Sequence, residues 1–159
     1  MKPKLYLETT IPSYLTSWPS GDVVRASHQQ ITNEWWTNRR ERFEIYISQL
    51  VIDEAAGGDP AAARVRLDAL NEFPLLDITE EVQELAAGLL RSLALPSKAT
   101  TDAAHIAVAA VHQMQFLLTW NCTHIANAIV REKIETVCRK AGFRPPVICT
   151  PLELSEEEP

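Results

Sequence analysis

The sequence predicts a three-layer α/β domain in which a central, mainly parallel sheet of about five short strands is flanked by helices. Short apolar runs suited to strands recur along the chain, and segments with apolar residues every three or four positions lie between most of them. Strands that alternate with helices pair in parallel through right-handed crossovers. A length of 159 residues suits one such domain, and no repeat, low-complexity stretch or linker divides it.

The first strand-like run, 5–7 in "KLYLETTIP", delivers Glu8 straight into Thr9-Thr10-Ile11-Pro12. A helix is expected over 22–40, a strand over 44–47, a short helix near 50–56, a helix over 60–72 and a strand over 75–78. The clearest helix is 79–94, where Val82, Leu85, Ala86, Leu89, Leu90 and Leu93 share one face behind Thr79 as N-cap. Thr100 or Thr101 is a suitable cap for the alanine-rich stretch 100–113. The run "FLLT" predicts a strand at 116–119. The next helix, 124–141, stops at Gly142 ahead of Pro145-Pro146, and a last strand covers 147–149.

Composition narrows the chemistry. Hydrophobic residues make up 46% and charged residues 23%, as in ordinary globular chains, and no apolar run reaches the ~20 residues that span a bilayer. Met-Lys-Pro-Lys at the start lacks a signal-peptide pattern, so a cytoplasmic location with no membrane partner is expected. Cys122, Cys138 and Cys149 form no CxxC pair, which gives neither a disulfide framework nor zinc spacing. The five glycines form no GxGxxG or P-loop, and there is no GxSxG elbow. Cys122 and His124 as nucleophile and base lack a third, orienting residue. The net charge of -6 opposes direct phosphate binding. Part of it lies in Ser-Glu-Glu-Glu-Pro at the end, and basic clusters remain at Arg39-Arg40-Arg42, Arg131-Lys133 and Arg139-Lys140.

The carboxylates are more informative. In parallel sheets ligands bind beyond the carboxyl ends of the strands. Glu8 follows the first strand, Glu54 in "SQLVIDEAA" follows the second, Asp102 opens the alanine-rich helix, and Asn121 in "LLTWNCTHIAN" follows the fourth strand. Oxygen ligands gathered there suit Mg²⁺ or Mn²⁺, which also offset the acidic charge toward a phosphate. Taken singly, each has a plain structural reading: an exposed strand end, a solvated surface acid, a helix-dipole partner, a turn residue. His105, three residues after Asp102, shares its helix face and is either a packed histidine or a transition-metal ligand. His124 is a similar case. Trp18, Trp35 and Trp36 suit base stacking, a partner surface or packing.

In this order the pieces "LYLETTIPSYL", "SQLVIDEA", "TTDAAHIAVAA" and "LLTWNCTHIAN" resemble the PIN-domain family, particularly the VapC-like toxins of bacterial toxin-antitoxin systems, over nearly the whole chain. The resemblance implies a PIN-like domain at 1–152, followed by an acidic tail at 153–159. It implies a metal-dependent endoribonuclease in which Glu8, Glu54 and Asp102 hold one or two Mg²⁺ or Mn²⁺ ions. Glu8, Glu54, Asp102 and Asn121 are then catalytic, and Thr9 and Thr119 position substrate. An RNA substrate, a cognate antitoxin and a homodimer follow as implied partners. The chain departs from the family pattern at Glu8, usually Asp, at Asn121, often an acid, and at Trp120, frequently Arg. The competing readings are a catalytically impaired PIN-like module that binds RNA or a protein, and a phosphotransfer domain, for which Glu8 is the wrong nucleophile.

Overall fold

A computed structural model of the chain describes residues 1–93, 96 and 99–154. Its strands are β1 (Lys4–Leu7), β2 (Glu44–Ser48), β3 (Leu75–Leu76), β4 (Phe116–Leu118) and β5 (Val147–Cys149). They form one all-parallel sheet in the order β3-β2-β1-β4-β5. The helices are α1 (Thr10–Thr16), α2 (Val23–Asn38), α3 (Gln49–Ala55), α4 (Pro60–Leu70), α5 (Glu80–Ser92), α6 (Thr100–Val111) and α7 (Ala128–Lys140), with a 3₁₀ turn at Arg40–Arg42. Leu5, Tyr6 and Leu7 point alternately to opposite faces of the central strand, yet all three are fully buried. Both faces of the sheet are therefore covered, as a parallel sheet requires.

Most expected elements are present with edges moved by a few residues. Thr79 caps α5, its hydroxyl accepting from the Val82 amide. Residue 94, the expected end of that helix, lies outside the described residues, as does most of the acidic tail. Neither Thr100 nor Thr101 caps α6: both are helical, and Ala99 holds the N-cap position without a side-chain bond. Helix α7 starts at Ala128 rather than 124, because Asn127 accepts from the Ile129 amide and sets the entry there. Its end is as read. Gly142, at φ 88°, and Phe143 return their amides to the carbonyls of Arg139 and Cys138, which closes a Schellman turn.

One helix was not foreseen. Helix α1 follows β1 after only two residues and contains Pro12, which is tolerated because it sits in the first turn, where no intrahelical N–H is needed. The tryptophans divide by environment. Trp35 is buried in the core, Trp36 lies between Phe73 and the Arg40 guanidinium, and Trp18 stands in solvent.

Chain order reverses across the sheet at β1, with β2 on one side and β4 on the other. Such a reversal leaves a crevice at the carboxyl ends of the two diverging strands. Glu8 and Thr119 are the first residues past those ends. The Glu8 amide still bonds the Leu118 carbonyl, and the Thr119 amide the Cys149 carbonyl. No helix among the described residues is long and apolar enough to cross a membrane.

Candidate metal centre

Glu8 is 3% exposed, yet three protein donors converge on a single oxygen of its carboxylate. Oε1 accepts from the Thr10 amide at 3.1 Å, the Thr10 hydroxyl at 2.5 Å and the Thr119 hydroxyl at 2.7 Å. Each hydroxyl is itself aligned by an amide donating to it, Trp120 N–H on Thr10 and Asn121 N–H on Thr119. Oε2 has no hydrogen bond within the described residues. Burial pushes the Glu8 carboxyl above the ordinary carboxylate range, opposed by His105 and by the three donated bonds.

Glu54 shows the same asymmetry. The hydroxyl of Thr9 donates to its Oε1 at 2.8 Å, and His105 Nε2 meets the same oxygen at 2.5 Å. Its Oε2 is open, and the side chain is 39% exposed. Burial alone raises this carboxyl, but the hydrogen bond and charge of His105, together with Thr9, outweigh it and hold Glu54 below the usual range.

His105 is fully buried on α6. Its Nδ1 lies 2.7 Å from the Tyr6 hydroxyl, which in turn lies 2.8 Å from the Ser48 hydroxyl. Ser48 closes β2 and Tyr6 lies mid-strand in β1, so β1 aims a hydroxyl at the imidazole and β2 supports that hydroxyl from behind. Oxygens of Glu8 and Glu54 and a ring nitrogen of His105 all lie within 4.8 Å of one another. Two carboxylates, each with one oxygen tethered and the other open, plus one imidazole form a donor set that fits a divalent cation.

The structure thus brings Glu8 and Glu54 together, as the sequence reading expected, and adds His105. Asp102 lies on the same rim, joined to Glu8 through Asn121 and Thr119. Its Oδ1 accepts from the Asn121 side-chain amide at 3.0 Å and its Oδ2 pairs with His124 Nδ1 at 2.9 Å. The Asn121 carbonyl oxygen caps the Thr123 and His124 amides. The hydroxyls of Thr9 and Thr119 are both committed to carboxylates. Trp120 turns inward, donating from Nε1 to Thr32 at 2.7 Å and stacking on His28 at 4.0 Å. Cys122 is no activated nucleophile: burial raises its thiol, and His124 Nδ1 faces Asp102.

Sequence reasoning missed Tyr6, Thr10 and Ser48, and left His105 undecided. Ser48 did open the quoted "SQLVIDEA" segment. Tyr6, in an otherwise aliphatic strand buried on both faces, was the available sign that a polar group waited inside.

Comparisons with known proteins agree with this fold. A family model described as PIN domain matches residues 22–121, a stretch that includes Glu54, Asp102, His105 and Asn121 and begins after Glu8. Among solved structures, a chain from "Structure of FitAB bound to IR36 DNA fragment" superposes with a TM-score of 0.55 at 15% identity, covering 97% of this chain and 99% of its own. Comparison with curated proteins found no match. The matched stretch, the parallel sheet with its central reversal and the acidic rim beyond β1 and β4 agree: the chain belongs to the PIN domain family.

Proposed function

We propose that this protein is a metal-dependent endoribonuclease of the VapC-like kind, hydrolysing RNA phosphodiester bonds with Mg²⁺ or Mn²⁺. The observation that carries the reading is the meeting of Glu8 and Glu54 beyond the ends of adjacent parallel strands, each with one oxygen held by protein donors and one open. A divalent ion bound there supplies Lewis-acid activation of water and neutralises charge on a phosphate. Everything else is the work of the chain. Thr10 and Thr119 orient Glu8, and Thr9 and His105 orient Glu54. Asp102, fixed by Asn121 and His124, adds a third carboxylate to the rim and would be the residue to hold a second ion. Asn121, whose amide nitrogen reaches Asp102, stands where the scissile phosphate would pass.

A protein antitoxin that masks the acidic rim, and a homodimer, complete the proposal through the family resemblance. RNA is preferred to DNA as substrate on the same ground.

The test is incubation of purified protein with total tRNA and Mn²⁺, beside Glu54→Gln and Asp102→Asn. Wild type should cleave, and each variant should lose roughly a hundredfold or more in rate while keeping its circular dichroism spectrum. Unchanged cleavage in both variants rejects the assignment. Absence of both cleavage and saturable Mn²⁺ stabilisation in the wild type selects the impaired binding module instead.

A further inference from the structure

We propose that His105 is a nitrogen ligand of this centre, so that the site binds a first-row transition ion, probed here with Mn²⁺, better relative to Mg²⁺ than an oxygen-only site would. The inference rests on the Glu8–Glu54 metal reading above and adds to it the identity of the third donor and its effect on ion choice.

Both nitrogens of the ring are engaged. His105 Nε2 faces Glu54 Oε1, and Nδ1 faces the Tyr6 hydroxyl. Without a cation, the proton must sit on Nε2, because a carboxylate oxygen only accepts; Nδ1 then accepts from Tyr6, which accepts from Ser48. Tyr6 and Ser48 are both hydroxyls, however, and a hydroxyl pair runs equally well in the opposite sense. With the ring proton on Nδ1, the ring donates to Tyr6 and Tyr6 donates to Ser48. Nε2 then offers its lone pair beside the carboxylates of Glu8 and Glu54, since one oxygen of each and a ring nitrogen of His105 lie within 4.8 Å of one another.

In the Nδ1–H form, Nε2 and Glu54 Oε1 become two acceptors facing each other. A cation beside them relieves that repulsion once Glu54 swings aside. Glu54 is the mobile partner, since more than a third of its side chain is exposed, whereas Glu8 and His105 are locked in the core. The set is then two carboxylates and one imidazole. Imidazole nitrogen favours first-row transition ions, while Mg²⁺ favours oxygen and water. The Tyr6–Ser48 pair is the outer support that fixes the ring plane.

The experiment uses the full chain loaded with Mn²⁺ and reads pulsed electron paramagnetic resonance together with competition against Mg²⁺. Nitrogen coupling to Mn²⁺ in the wild type, and a Mn²⁺-over-Mg²⁺ preference that drops roughly tenfold in His105→Gln, are expected. Glutamine keeps an N–H donor for Glu54 but offers no imidazole nitrogen, so an orienting role alone would survive the change. Bound Mn²⁺ without nitrogen coupling overturns the inference, and this readout needs no variant to fold. So does an unchanged ion preference in a folded His105→Gln. Nuclease activity with an oxygen-only centre would sink this proposal and leave the functional one standing. Nitrogen-coupled Mn²⁺ without RNA cleavage would do the reverse.

Discussion

Glu8 carries the largest conflict between stability and function in the chain. A carboxylate this deeply buried is costly, and its folded-state proton affinity is raised above that of the unfolded chain. The sign follows: the contribution to stability is present at low pH and is lost as pH rises through the raised folded value. Glu8→Gln keeps an acceptor oxygen for Thr10 and Thr119 and never ionises. In chelator, its stability should gain on that of the wild type as pH climbs above the ordinary carboxylate range. Mn²⁺ should stabilise the wild type and not the variant. Denaturant melts at several pH values decide this, and a variant that loses ground to the wild type with rising pH contradicts it. Glu8 as a polar strand end was plain in the sequence. Its tether to Thr119 was not, because that contact depends on β1 and β4 becoming neighbours.

Helices divide by whether they border the site. Asp22, Asp59, Thr79 and Asn127 cap α2, α4, α5 and α7 with their side chains. Thr9 and Ser48 occupy the N-cap positions of α1 and α3 but make no capping bond, since their hydroxyls reach Glu54 and Tyr6 instead. Residues of ordinary capping type have been diverted to the candidate site and the hydrogen bonds behind it, which is where local rules are expected to break. Thr79→Ala should therefore lower stability by about 1 kcal/mol without changing Mn²⁺ binding. Helix ends give a second contrast. Helix α6 closes like α7, with Gln113 and Met114 returning their amides to Ala110 and Ala109, but Gln113 stands at φ 58° where α7 has Gly142. Gln113→Gly should raise the urea midpoint by about 1 kcal/mol equivalent, and a lower midpoint would show that the glutamine side chain is itself a stabilising contact. Periodicity located α5 and α6 well, whereas α1 was invisible: seven residues beginning at a strand end and holding a proline offer no repeating apolar face.

At the scale of the molecule, alternation of strands and helices was enough to specify a parallel three-layer domain, because β1, β2, β4 and β5 are short apolar runs between amphipathic helices. The place of the site was legible for the same reason, since acids at strand ends must gather at one rim of a parallel sheet. Which acids face one another was not legible. Glu8 and Glu54 meet around His105, while Asp102 turns to Asn121 and His124; that choice is made by side-chain hydrogen bonds between elements far apart in sequence. A separate cleft lined by Arg131, Arg139, Arg144 and Glu135 opens at the opposite ends of β4 and β5, away from Glu8 and Glu54. The most direct test is anomalous X-ray diffraction from crystals grown with Mn²⁺. The account expects a manganese peak within coordination distance of Glu8, Glu54 and His105. A saturated crystal with no peak there, or with manganese only elsewhere on the surface, would contradict it.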